Sequence, residues 1–163
     1  MRRFLVVGLA AGVVALSVLA SAAPAMADVG AQSTSCHMDA TATFKPGLDL
    51  SQEQKEKVKA KGKLTDCVGG GVASAKLYGM GRGTISCTSG IAKVKMKAHW
   101  DTGELSKVTL YVDLGLQTLS GTVTSGKFAG EDLSATDVTL TPLVGDCFTA
   151  PLTKAEVTAT VSV

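Results

Sequence analysis

Arginine is nearly missing from this chain: Arg2, Arg3 and Arg82 are all there is among 163 residues. Aromatic residues make up only 4% and do not alternate with the basic residues along the sequence. Both shortages argue against nucleic acid as a partner, since single strands and grooves are read by arginine and stacked aromatic rings. Only two histidines occur, His37 and His99, far apart in the chain, which is poor material for a metal site. No Cys-x-x-Cys pair suggests zinc, and no D-x-D-x-D-G loop suggests calcium. Asp101, Glu131, Asp132 and Asp137 lie near expected turns and offer at most weak calcium ligation. There is no G-x-S-x-G elbow, so a hydrolase built from His99, an aspartate and a serine has no motif behind it. Gly79, Gly81 and Gly83 do not follow G-x-G-x-x-G and no helix pattern comes after them, so they read as turn or bulge glycines. No metal, cofactor or catalytic residue is therefore assigned.

The chain also lacks any convincing long amphipathic helix. What it has is alternation. Over residues 91–114, Ala92, Val94, Met96, Ala98 and Trp100 alternate with Lys93, Lys95, Lys97 and His99. A second run sets Ser106, Val108, Leu110 and Val112 against Lys107, Thr109, Tyr111 and Asp113. Period two with one dry and one wet face is the mark of a strand. Asp101, Thr102 and Gly103 between the runs suit a three-residue hairpin loop closed by a left-handed glycine. That loop pairs Trp100 with Glu104, Ala98 with Ser106, Met96 with Val108 and Val94 with Leu110, which puts both apolar rows on one face. Trp100 then belongs to the core rather than to a sugar-stacking platform.

Further strands are expected over 36–44, ending at Pro46-Gly47, and over 55–66, with a short helical turn near Ser51 before it. Others are expected over 72–78, 84–87, 117–124, 127–133 and 136–141, stopping at Pro142, and a last one through Val157, Ala159, Val161 and Val163. The fold class is all-β, an antiparallel β-sandwich or flattened β-barrel of roughly 8–10 short strands.

Residues 1–27 have the form of a signal peptide: Arg2 and Arg3, an apolar stretch over 4–20, and Ala25-Met26-Ala27 as the cleavage site. Cleavage after Ala27 by the general secretory route leaves one domain, 28–163, secreted and without a membrane span. All four cysteines fall in that part, and an even count in an exported chain reads as two disulfides. Three connectivities are open; chain order alone favours Cys36–Cys67 with Cys87–Cys147.

Charge is uneven. Residues 28–100 hold eleven Lys/Arg against six Asp/Glu, and 101–163 hold three against eight. Lys57, Lys59, Lys61 and Lys63 line the wet face of one expected strand, and Lys93, Lys95 and Lys97 that of another, with Lys97 facing Lys107. These seven lysines, 57 to 63 and 93 to 97, are the candidate site. They form either a solvated face that discourages edge-to-edge aggregation, or an anion-binding strip for a cell-envelope polymer.

Three stretches carry a resemblance: Gly83 to Cys87, Trp100 to Gly103 with Ser106, and Gly121 to Gly130. Together they resemble small exported four-cysteine β-proteins common in actinobacteria, mostly without an assigned function. The resemblance implies an exported β-domain and supplies no catalytic residue. The function expected is a non-enzymatic exported domain that binds anionic polymers through its lysines. The alternatives are an inert structural protein and, behind it, an uncharacterised hydrolase.

Overall fold

The structure is a computed structural model and describes residues 33–163, so the expected leader lies outside the described residues. Eight antiparallel strands follow one another: β1 Ser35–Leu48, β2 Gln54–Val68, β3 Ala75–Ile85, β4 Gly90–Trp100, β5 Leu105–Asp113, β6 Thr118–Gly126, β7 Asp132–Val144 and β8 Leu152–Ser162. Each pairs with its neighbours in sequence, and β8 returns to β1, with Cys36 opposite Val161 and Ala42 opposite Ala155, closing a barrel. The strands run from 9 residues in β5 and β6 to 15 in β2, longer than the short strands expected. Alternation sets the faces: Met38, Ala40, Ala42 and Phe44 of β1, Val94, Met96 and Ala98 of β4, and Val108 and Leu110 of β5 all point into one buried core.

The central hairpin has the register its loop dictates. Ala98 faces Ser106, Met96 faces Val108 and Val94 faces Leu110. The turn is closed by Gly103 N–H donating to Trp100 O at 3.0 Å and Trp100 N–H to Glu104 O at 2.9 Å, with Gly103 at φ 85°. Trp100 is buried, its Nε1–H donating to Ser106 Oγ at 2.8 Å and its ring edge-on to Phe128 at 5.3 Å. Both disulfides follow the pairing favoured by chain order, Cys36–Cys67 and Cys87–Cys147. The first joins neighbouring strands β1 and β2 near one end. The second ties the β3–β4 loop to the β7–β8 loop at the other.

Six local expectations are corrected. β1 does not stop at Pro46-Gly47 but reaches Leu48, because Pro46 falls after the last β2 pair (Lys45 with Lys57) and inside the register shift against β8, where no N–H is needed. No helical turn forms near Ser51. Residues 49–53 are a loop, and Gln54, already in β2, donates to Gly47 O at 2.6 Å. Residues 72–78 and 84–87 do not form two strands: residues 75–78 and 84–85 belong to one strand, β3, and residues 72–74 and 86–87 lie in the loops at its ends. Gly79, Gly81 and Gly83 are neither turn nor bulge glycines: they point inward on β3, with unbroken register to β2 and β4. A Cβ on Gly79 would lie 2.8 Å from Met96 Cγ, and one on Gly81 would run into the backbone of Lys93 and Val94. Residues 127–133 are mostly loop, since Phe128 takes a left-handed φ of 65° and turns its ring onto Trp100. Finally, β7 passes through Pro142 to Val144. Only Asp132 to Ala135 pair with β6, so beyond them β7 has a free side on which a missing N–H costs little.

One acid stands in the inward row of the alternation. Glu56 keeps the inward parity of Val58 and is 1% exposed. Its carboxylate accepts the Gly47 N–H at 3.1 Å, and burial pushes its pKa up despite that hydrogen bond.

Candidate functional site: a basic outer wall

The two lysine rows belong to β2 and β4, which are not neighbours; β3 lies between them and joins them into one surface. Outward residues of β3 are Lys76, Tyr78, Met80, Arg82 and Thr84, all exposed. Cross-strand register then sets the residues in rows. Lys57, Arg82, Lys93 and Tyr111 form one; Lys59, Met80, Lys95 and Thr109 the next; Lys61, Tyr78, Lys97 and Lys107 a third; Lys63, Lys76 and His99 a fourth. With Lys55 at the end of β2, all seven predicted lysines and four further cations share the outer wall of β2–β5. Outward positions on a strand recur every ~6.6–6.8 Å and strands lie ~4.8 Å apart, so the wall is a regular grid of cations.

Glycine is needed at 79 and 81, where an added Cβ would meet atoms of β4. The outer surface over β3 carries two open troughs. One trough, about 920 Å³, is lined by Lys59, Lys61, Tyr78, Met80, Lys95 and Lys97. Its neighbour, about 600 Å³, is lined by Lys57, Lys59, Met80, Arg82, Lys93 and Lys95.

Little neutralises the wall. Among the described residues its one ion pair is Lys63 to Asp39 of β1, at 4.0 Å with both side chains largely exposed. The shorter pair, Lys127 to Glu104 at 2.8 Å, lies on the loops away from it and, with the Thr102 hydroxyl, holds the Glu104 pKa down. Like charges stand directly opposite at Lys57–Arg82, Arg82–Lys93, Lys63–Lys76 and Lys97–Lys107. Such pairs are destabilising in a sheet. Aromatic rings are set among the cations after all, across strands rather than along them. Tyr78 falls between Lys61 and Lys97, and Lys93 Nζ lies 5.4 Å from the Tyr111 ring centre.

The remaining candidates are dispersed. His99 is exposed on β4 with its ring edge-on to Tyr78 at 6.1 Å, and His37 is on the outer face of β1. Asp101 accepts the Ala73 N–H, Asp132 the Thr122 hydroxyl and Asp137 the Thr136 hydroxyl. Among the described residues no three His, Cys, Asp or Glu side chains gather as metal ligands. Trp100, being buried, offers no platform for a sugar.

Sequence reasoning missed Lys76, Arg82, Tyr78 and Met80 as members of the site. Their alternation with Leu77 was visible, but the glycines at 79, 81 and 83 broke the apolar row that marks a strand. Compared with known proteins, the chain matches no family model, no curated protein and no solved structure.

Proposed function

We propose that this is an exported, non-enzymatic binding domain whose basic wall holds a linear polyanion of the cell envelope, of the phosphodiester-linked teichoic type. One observation carries the reading: β3 joins two separated lysine rows into a single, scarcely neutralised grid. The competing view, lysines as guards against edge pairing, loses its footing in this topology. β2, β3, β4 and β5 each have hydrogen-bonded partners on both sides, so none of them presents an edge to protect. Keeping like charges opposed in the middle of a sheet has a cost that solubility alone does not require. A cationic exterior over an apolar interior is also the reverse of a bilayer-spanning barrel. The two disulfides agree with an oxidising compartment, and the resemblance to exported actinobacterial β-proteins points the same way.

Titration with long-chain inorganic polyphosphate tests this. Affinity should fall linearly in log–log with salt, and changing Lys59, Lys61, Lys93 and Lys95 together to Gln should lower the slope by about 3, at roughly 0.7 per phosphate contact on a single strand. The fold should survive, since exposed substitutions of this kind cost under about 0.5 kcal/mol each. Absence of binding at low salt, or an unchanged slope in the quadruple variant, rejects the wall as a site and leaves an inert structural protein.

A further inference from the structure

The barrel interior is not filled. Alanines 40, 42, 92, 98, 155 and 159 occupy buried inward positions where larger side chains would be needed to fill a barrel of eight strands. Two apolar cavities result, of about 100 Å³ and about 50 Å³. Met38, Met96, Leu110 and Leu119 line both, so the division between them is made largely by unbranched or singly branched side chains with freedom to rotate. Joined, they are on the order of the ~150 Å³ apolar cavity that stays dry and admits benzene.

The larger cavity also has a way in. β6 and β7 are hydrogen-bonded only from Leu119–Ala135 to Thr122–Asp132. Below that, β7 continues to Val144 while β6 has already given way to the β5–β6 loop. The cavity reaches this unpaired stretch: Gln117 and Thr118 line it on one side, Val138 and Leu140 on the other. Apolar side chains crowd the same end of the barrel, with Leu116 74%, Leu143 48%, Val144 53% and Phe148 81% exposed. Asp113 is the one charged residue in the lining, and the basic wall contributes none of its lysines.

We propose that the barrel interior is a binding site for a small neutral apolar molecule, a hydrocarbon ring or short aliphatic alcohol, admitted between β6 and β7. An alkyl chain ending in a carboxylate is disfavoured, because the lining offers it no cation, its one charged residue being the acid Asp113. This site is distinct from the polyanion wall, whose lysines stand on the outer face of strands that line the cavity with their inner face.

Benzene is the first probe, added to the oxidised protein labelled at its methionine methyl groups. Met38 and Met96 should shift saturably by ring currents, while Met80, exposed on the outer wall, stays still. If the two inward methyls do not move up to benzene saturation, or if Met80 moves equally, the site does not exist. 1-Hexanol should then bind at least about tenfold more tightly than hexanoate; equal affinity overturns the assignment of the mouth. Ala92→Leu should abolish the benzene shifts by filling the larger cavity, and shifts retained in a folded Ala92→Leu protein refute it. Leu119→Ala, which enlarges both cavities, should bring in naphthalene, and no gain over the wild type counts against the proposal.

Discussion

Trp100 offers the most direct test of the inward face. Removing its indole by Trp100→Ala empties a site whose side chain is 7% exposed, edge-on to Phe128 at 5.3 Å and hydrogen-bonded to Ser106. Large aromatic to alanine changes in a core cost about 3–5 kcal/mol, and the loss of an aromatic pair adds ~0.5–1.5 kcal/mol where the site cannot collapse. Ser106 is only partly orphaned, because its hydroxyl still donates to Lys127 O. A central value of about 4 kcal/mol follows. With a urea m-value of ~1.5 kcal/mol/M, the unfolding midpoint of the oxidised protein should drop by roughly 2.5 M. Trp100→Phe keeps the ring contact but not the donor and should cost only about 1–2 kcal/mol. A double-mutant cycle with Phe128→Ala isolates the ring pair, for which ~0.5–1.5 kcal/mol is expected. Native fluorescence resembling free indole, with a midpoint shift in Trp100→Ala under ~0.5 M, would refute the inward packing and with it the hairpin register.

Two glycines should respond to very different degrees. Gly103→Asn leaves the added side chain in open space at φ 85°, a conformation asparagine tolerates, and should cost under about 1 kcal/mol. Gly81→Ala forces a methyl into the β4 backbone and should cost ~1–3 kcal/mol or more, measured by thermal or urea unfolding; an equal, small effect at both positions would contradict the close approach of β3 to β4. In the β7–β8 loop, hydrogen bonds from the N–H of Thr149, its hydroxyl, and the N–H groups of Phe148 and Ala150 hold the Asp146 pKa down from 3.8 to about 2. A lowered carboxylate pKa stabilises the structured loop above pH 3.8 and loses that support as pH falls through about 2, so the Thr149 amide resonance should titrate with its midpoint near 2. A midpoint near 3.8 would show that the carboxylate does not hold the loop.

Amino-acid order is enough to settle what depends on neighbours in the chain. Strand faces follow from period-two alternation, and the 101–103 loop set the hairpin register because loop length decides which residues meet. Chain order happened to favour the observed disulfides, although nothing local required it. Proline and glycine are unreliable as punctuation at Pro46, Pro142 and Gly79 to Gly83. A proline's missing N–H matters only if a partner strand is there to accept one, and a glycine's missing Cβ matters according to what lies across from it. Both are facts about neighbouring strands. The same holds for the site. Lysines on β2 and β4 were legible one strand at a time, but only the order of strands around the barrel places β3 between them, adds Lys76, Tyr78, Met80 and Arg82, and leaves the wall without an edge. The unfilled interior was less legible still, because a cavity is a property of side-chain volumes summed around all eight strands. Alternation tells which residues point inward; only closure of the barrel decides whether they are large enough to meet.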